Sequence, residues 1–240
     1  DGMAELGWVL PVLLLVGLLK NALRSLTWGM ALDAEDLRLP FAVLFRARAA
    51  SQSVALLASM GSAVADPAKS WLIRGHAPVE KSIAPTVVEA VAYWFTSLVL
   101  VMVGLASAAH VAKADWGWAA AAAPCVLLLL LSWLFWTRKS LVRPLSSLWR
   151  RRRGEDDRFA SLLARAEQVE HRVRSFRVRH SWALLRILAV ALAVQALTTA
   201  EVALVLAELG AWPGWTGTLL VDGLARASTS VSCLIPGRLG

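Results

Sequence analysis

Residues 137–180 read TRKSLVRPLSSLWRRRRGEDDRFASLLARAEQVEHRVRSFRVRH. Between Arg138 and Arg179 this stretch holds 13 of the chain's 25 Lys and Arg residues but only 5 of its 17 Asp and Glu, so it carries the whole net charge of +8. It lies between two long apolar runs. Lys and Arg beside a span resist translocation, so the segment 138–180 is expected on the cytoplasmic side of a membrane, which orients the helices on either side of it. Its apolar residues Phe159, Leu162, Leu163, Ala166, Val169, Val173 and Phe176 recur in steps of three and four. They share one helical face, with Arg158, Arg165, Arg172 and Arg179 opposite, the pattern of an amphipathic helix lying along the headgroups. Arg150, Arg151, Arg152 and Arg153 form a lipid-headgroup surface on two readings: a topology anchor, or specific recognition of an anionic headgroup.

Working outward, 58% of the residues are hydrophobic and the mean hydropathy is +0.58, too apolar for a soluble domain. The fold class expected is all-α: a polytopic helical membrane protein, one membrane domain over 1–240, with re-entrant or broken helices and one interfacial helix. A sequence pI near 10.5 would point to nucleic acid in a soluble chain. Here the excess sits beside membrane spans, so membrane lipids are the expected partners and nucleic acid is not.

Four stretches read as spans: Leu6–Leu26, Thr86–Ala109, Trp116–Trp136 and Ser181–Leu209, the third bracketed by tryptophans that suit the two interfaces. In the first, Lys20, Asn21 and Arg24 are read as snorkelling from its far end. Residues 31–40 read as a polar connector and 66–85 as a loop, on the strength of Pro67, Pro78 and Pro85. Leu6–Leu19 lacks a small-residue cleavage site and is read as a span rather than a leader. The stop at Gly240, within a glycine- and proline-rich motif, leads us to expect a piece of a longer protein.

Two segments make poor spans. Phe41–Met60 contains Arg46, Arg48, Ser51 and Gln52; an arginine facing lipid at mid-bilayer costs about 2.5–3.5 kcal/mol, so this helix must face protein, water or headgroups, and a re-entrant or internally buried helix is preferred to an ordinary span. From Thr216 the chain carries Asp222 and Arg226. The two share a short similarity, RAASQSV at 48–54 and RASTSV at 226–231, of the kind left by paired broken helices around a transport site.

The ionisable residues of these apolar segments are the candidate substrate path: Arg48, Glu89, Glu201, Asp222 and Arg226, with the hydroxyl and amide of Ser51 and Gln52. Asp222 and Arg226, four apart, also read as a mutually neutralised structural pair. Glu89 also reads as reaching the near interface, and Glu201 as a hydrogen-bonded packing residue. Cys125 and Cys233 have neither CxxC nor zinc spacing, and the four histidines lack metal-ligand spacing. With no nucleophile elbow or phosphate loop either, no enzyme, cofactor or metal site is expected.

The successive stretches GSAVADPAKSWLIRG, SIAPTVVEAVAYW, AEVALVLAELG and VDGLARASTSVSCLIPGRLG resemble the flippase-like membrane proteins related to the lysylphosphatidylglycerol synthase transmembrane region, a group that includes hopanoid-biosynthesis-associated membrane proteins. The resemblance implies a polytopic protein of the bacterial inner membrane that moves a lipid or lipid-linked headgroup between leaflets. It sets Glu89 at the family's acidic position early in a span, Glu201 at the glutamate before the leucine-glycine turn, and Pro236 with Gly237 in the PGxxG turn. Asp222 stands where relatives carry Glu, and Met60 with Gly61 where a Pro-containing turn is expected. Two functions remain open: lipid translocation, and a non-transporting scaffold that recruits a lipid-modifying or glycosyl-transferring enzyme through the basic face.

Overall fold

The computed structural model describes residues 7–57, 62–112, 171–176 and 178–232, together with Val126, Leu130 and Gln168. The fold they form is all-α: α1 Val9–Ala34, α2 Phe41–Leu57, α3 Ser62–Leu72, α4 Val79–Ala112, α5 Ser181–Glu208 and α6 Gly214–Ser232. Among the described residues, three stretches are long and apolar enough to cross a membrane: Val9–Ala34, Val79–Gly104 and Ser181–Glu208. Leu14, Leu15 and Leu18 of α1, and Leu185 and Leu192 of α5, stand exposed, as lipid-facing side chains do. This is an all-α membrane protein.

Contacts along the helices give their directions. On α1, Lys20 meets Glu201 of α5, Arg24 meets Glu89 of α4, and Trp28 meets Thr86 of α4, so α1 runs antiparallel to both. A buried cluster of Ala31, Ala84, Val88, Ala92, Phe176, Leu184 and Ile187 closes that end of the three helices. Arg172 reaches the same end, donating from Nη1 to the carbonyl of Glu80 at 2.6 Å. Helix α6 returns antiparallel along α4 and α5, close enough that a Cβ added at Gly104 would lie 2.4 Å from the Leu219 carbonyl oxygen.

Between α1 and α4 the chain forms a helical hairpin. Leu44 and Ala47 of α2 pack with Ile73 and Ala77, just past α3, on Trp28 and Leu32 of α1. Farther along the hairpin, Arg48 of α2 and Lys69 of α3 both reach Glu89. The hairpin therefore starts and finishes at the end of α1 where α4 begins, and residues 58–61, between its two helices in sequence, lie outside the described residues.

Helix α1 stops in a Schellman arrangement: the Leu37 amide donates to the Leu32 carbonyl at 3.0 Å, with Asp36 at φ 60° in the left-handed position. Helix α5 ends in the same way, with Gly210 at φ 65° and the Ala211 amide donating to the Leu206 carbonyl at 2.9 Å.

Several boundaries differ from the sequence reading. Helix α1 continues to Ala34, eight residues beyond the expected end, because Trp28, Ala31 and Leu32 are buried against neighbours. The expected loop 66–85 is helix up to Leu72 and again from Val79, and both Pro67 and Pro85 lie inside helices. Tertiary packing offsets the amide each proline removes: Lys69, Ser70 and Ile73 are buried beyond the first, Thr86 and Val88 beyond the second. Within the described residues, α2 and α6 are unbroken helices. The expected span 116–136 apart from Val126 and Leu130, most of the amphipathic helix, Arg150–Arg153, Cys125, Cys233, Pro236 and Gly237 lie outside them.

Candidate functional site

The middle of the structure holds a set of charged side chains around Glu89, which is 2% exposed. Its Oε2 lies 2.7 Å from Lys69 Nζ, and its Oε1 lies 3.3 Å from both Arg24 Nη2 and Arg48 Nη2. Four helices supply these groups: α1, α2, α3 and α4. Lys69 also holds Asp66 Oδ1 at 2.8 Å, and Arg48 Nη1 donates to the Arg24 carbonyl at 3.1 Å. Arg24 lies over the ring of Tyr93, one turn beyond Glu89, at 3.7 Å from the ring centre, a cation–π contact that shields the guanidinium while keeping it charged.

The neighbouring polar groups are closely matched. Thr86 Oγ1 donates to the Ser82 carbonyl at 2.8 Å, accepts from Trp28 Nε1 at 2.9 Å and lies 3.0 Å from Ser70 Oγ. One donor and two lone pairs are all a hydroxyl has, and each is used. By contrast, Arg24 Nε, Arg48 Nε and Asn21 Oδ1 are buried without a hydrogen-bond partner. One turn along α1 from Arg24, Lys20 pairs with Glu201. That pair and Arg24 reach the surface, at 21% exposure for Lys20 and Arg24 and 25% for Glu201, whereas Arg48 and Lys69 stay behind them at 2%.

A second polar set joins α6 to α5 and α4. Arg226 holds Asp222 through two bonds, Nε to Oδ1 and Nη2 to Oδ2, both 2.9 Å. Thr199 Oγ1 lies 2.5 Å from Asp222 Oδ2, and Arg226 Nη1 donates to Gln195 Oε1. Gln195 Nε2 in turn donates to the Tyr93 carbonyl at 3.1 Å. Tyr93 thus touches both sets, by its ring on one side and its carbonyl on the other.

The structure divides the sequence-named residues accordingly. Arg48 and Glu89 belong to the first set, with Ser51 buried beside them and donating to the Arg48 carbonyl at 2.8 Å; Gln52 is half-buried on the next position of α2. Asp222 and Arg226 form the second set, and Glu201 meets Lys20. Helix α2 packs on α1 and α3, and α6 on α4 and α5, so α4 stands between the two segments that carry the RAASQSV and RASTSV similarity.

Glu89 is buried among three cations, and Lys20 and Arg24, read from the sequence as snorkelling toward headgroups, each meet a carboxylate on a neighbouring helix. Sequence reasoning missed Lys20, Arg24 and Lys69 as partners. The signal for the first two was present: Lys20, Arg24 and Trp28 follow at four-residue steps and share one face of a helix that runs on past them.

Among the described residues, no group of three or more His, Cys, Asp or Glu side chains could hold a metal ion. No match was found among curated protein sequences or solved structures. Residues 3–240 match the model of a family described as the lysylphosphatidylglycerol synthase TM region. A membrane domain whose ion pairs span its helices, matched over nearly its whole length, places this chain in the lysylphosphatidylglycerol synthase transmembrane-region family.

Proposed function

We propose that the protein carries a lipid headgroup, or the headgroup of a lipid-linked sugar, between the leaflets of the bacterial inner membrane. The observation behind this reading is the buried charge set around Glu89, with the Lys20–Glu201 pair at its surface edge. The main barrier to lipid crossing is the loss of headgroup hydration, and charged side chains already held in the interior can replace that water. Such pairs add little stability over apolar residues of the same volume, so a packing role alone accounts poorly for so many of them in one membrane domain.

The α2–α3 hairpin supports a re-entrant arrangement, since it begins and ends beside the same end of α1. Glu89 lies ten residues into α4, about 15 Å along its axis, so a core about 30 Å thick that began at the start of α4 would have Glu89 near its middle. Arg74, Lys81 and Arg172 gather at the end where α4 and α5 begin, which favours that end as cytoplasmic.

The test is a leaflet-specific quenching assay on fluorescent lipids in vesicles containing the full-length protein. Quenching beyond the outer leaflet is expected, with a rate at least about tenfold lower in Glu201→Gln, the loss that 1.4 kcal/mol of barrier produces. A rate equal to that of protein-free vesicles overturns the reading. Charge reversal of Arg150–Arg153 that released a bound enzyme while leaving lipid movement intact would favour the scaffold for that face.

A further inference from the structure

Tryptophans stand exposed at both ends of the bundle, and their companions differ. At the end where α4 and α5 begin, Trp71 is 56% exposed with the guanidinium of Arg74 over its ring, 3.4 Å from the ring centre, and Trp182 is 65% exposed with Arg186 over its ring at 6.0 Å. At the opposite end Trp212 and Trp215 meet each other edge to face, with ring centres 6.2 Å apart, and the chain has no Lys or Arg from residue 187 to residue 225. An indole alone suits the interface of any bilayer. A cation held on its face adds a preference for negative charge.

Local structure fixes both pairs. Ile73 and Ala77, just past α3, are buried against α1, and the Arg74 amide donates to the Trp71 carbonyl at 3.1 Å, so the turn that points Ile73 inward holds Arg74 outward over Trp71. On α5, Leu184 and Ile187 are buried while Trp182, Leu185 and Arg186 are exposed, with Arg186 one turn beyond Trp182. A guanidinium stacked on a ring is covered on one face, but its N–H groups lie in its own plane and can still donate to a phosphate. We propose that Trp71 with Arg74, and Trp182 with Arg186, form two docking units for anionic phospholipids of the leaflet at this end. The indole and the neighbouring leucine, Leu72 or Leu185, lie among the upper acyl chains, and the guanidinium takes the headgroup phosphate. A zwitterionic lipid offers the same phosphate with its own cation beside it, so the anionic lipid is preferred. Asp33, Glu35, Asp36 and Glu80 stand at the same end, so what selects the anion is these two placed guanidinium groups and not the net charge of the face.

The experiment places a photoreactive benzophenone amino acid at Leu72, Leu185 or Leu209, all three exposed, in the full-length protein. Each protein is reconstituted into vesicles of equal parts phosphatidylglycerol and phosphatidylcholine, so both ends meet both lipids, and the lipids captured on illumination are identified by mass spectrometry. Capture at 72 and 185 is expected to favour phosphatidylglycerol, and capture at 209, beside the tryptophans of the other end, to show no preference. Arg74→Gln is expected to lower the preference at 72 about fivefold, the change that about 1 kcal/mol per cation at an anionic surface produces, and to leave 185 as it was. Arg186→Gln is expected to do the reverse.

The same lipid ratio at all three positions overturns the docking units. So does an equal fall at 72 and 185 from either single substitution, which would mean a diffuse surface charge in place of two separate pairs. Capture of protein at 72 or 185 in place of lipid, whether a second copy of this chain or another polypeptide, overturns the lipid as occupant. None of these outcomes depends on lipid movement in the quenching assay, so the docking units and the transport reading stand or fall separately.

Discussion

Glu89 is the residue on which four helices converge, so its removal has the largest predicted effect. In Glu89→Gln the cations Arg24, Arg48 and Lys69 are left in the interior facing only Asp66, and breaking a buried pair in this way costs about 3–5 kcal/mol. A lower unfolding midpoint in detergent is expected. Adding Lys69→Met to the same chain removes one stranded charge and is expected to recover part of the loss, which a double-mutant cycle measures as a coupling between the two positions. An additive double mutant would mean that the two side chains do not meet. Gln195→Leu tests the second set: it strips an acceptor from Arg226 and a donor from the Tyr93 carbonyl, and destabilisation of about 1–3 kcal/mol is expected. Reading charges in order along the chain finds Arg48, Glu89, Asp222 and Arg226 because each stands among apolar residues where lipid would penalise it. Lys20 and Arg24 escape that logic, since a long side chain near the end of an apolar run can always be imagined reaching water. What gives them away is only the partner, and a partner 181 positions distant along the chain, as Glu201 is from Lys20, leaves no local trace.

At the level of the helices, the stop signals and crossings are local and specific. Asp36 occupies a left-handed position that glycine takes at the end of α5. Asp36→Gly is therefore expected to stabilise the protein by up to about 1–2 kcal/mol, seen as a higher unfolding midpoint. Gly104 is the opposite case. A methyl there would press on the Leu219 carbonyl and push α6 off α4, so Gly104→Ala is expected to destabilise by about 1–3 kcal/mol, whereas Gly17→Ala, with nothing within 4 Å of the new carbon, shifts the midpoint little. Periodicity and length made α1, α4 and α5 readable, since long apolar runs have few alternatives in a membrane protein. Helix α3 and the first turns of α4 were hidden by Pro67 and Pro85, because proline speaks for a loop until packing against the rest of the chain overrules it.

For the whole molecule, the order of helix directions places residues 35–40, 73–78 and 171–180 at one end and residues 209–213 at the other. In a chain whose Cys125 and Cys233 are replaced by Ser, single cysteines at Arg38, Lys81 and Ala211 test this with an impermeant maleimide. Arg38→Cys and Lys81→Cys are expected to label together from one face of the membrane, the cytoplasmic one, and Ala211→Cys from the other. Labelling of Arg38→Cys and Lys81→Cys from opposite faces would mean that the α2–α3 hairpin crosses rather than returns. The orientation expected from the basic stretch around Arg150–Arg153 needs no structure, because the rule behind that expectation concerns translocation and not packing. The convergence of Arg48 and Lys69 on Glu89 could not be read that way, since it depends on how α2 and α3 pack against the rest of the chain.

Tyr93 gives this architecture a further property. Its ring carries the guanidinium of Arg24 while its carbonyl is held by Gln195, which itself grips Arg226. Arg24 and Arg226 are thus joined through one turn of α4, so a displacement of that turn would bear on both contacts at once.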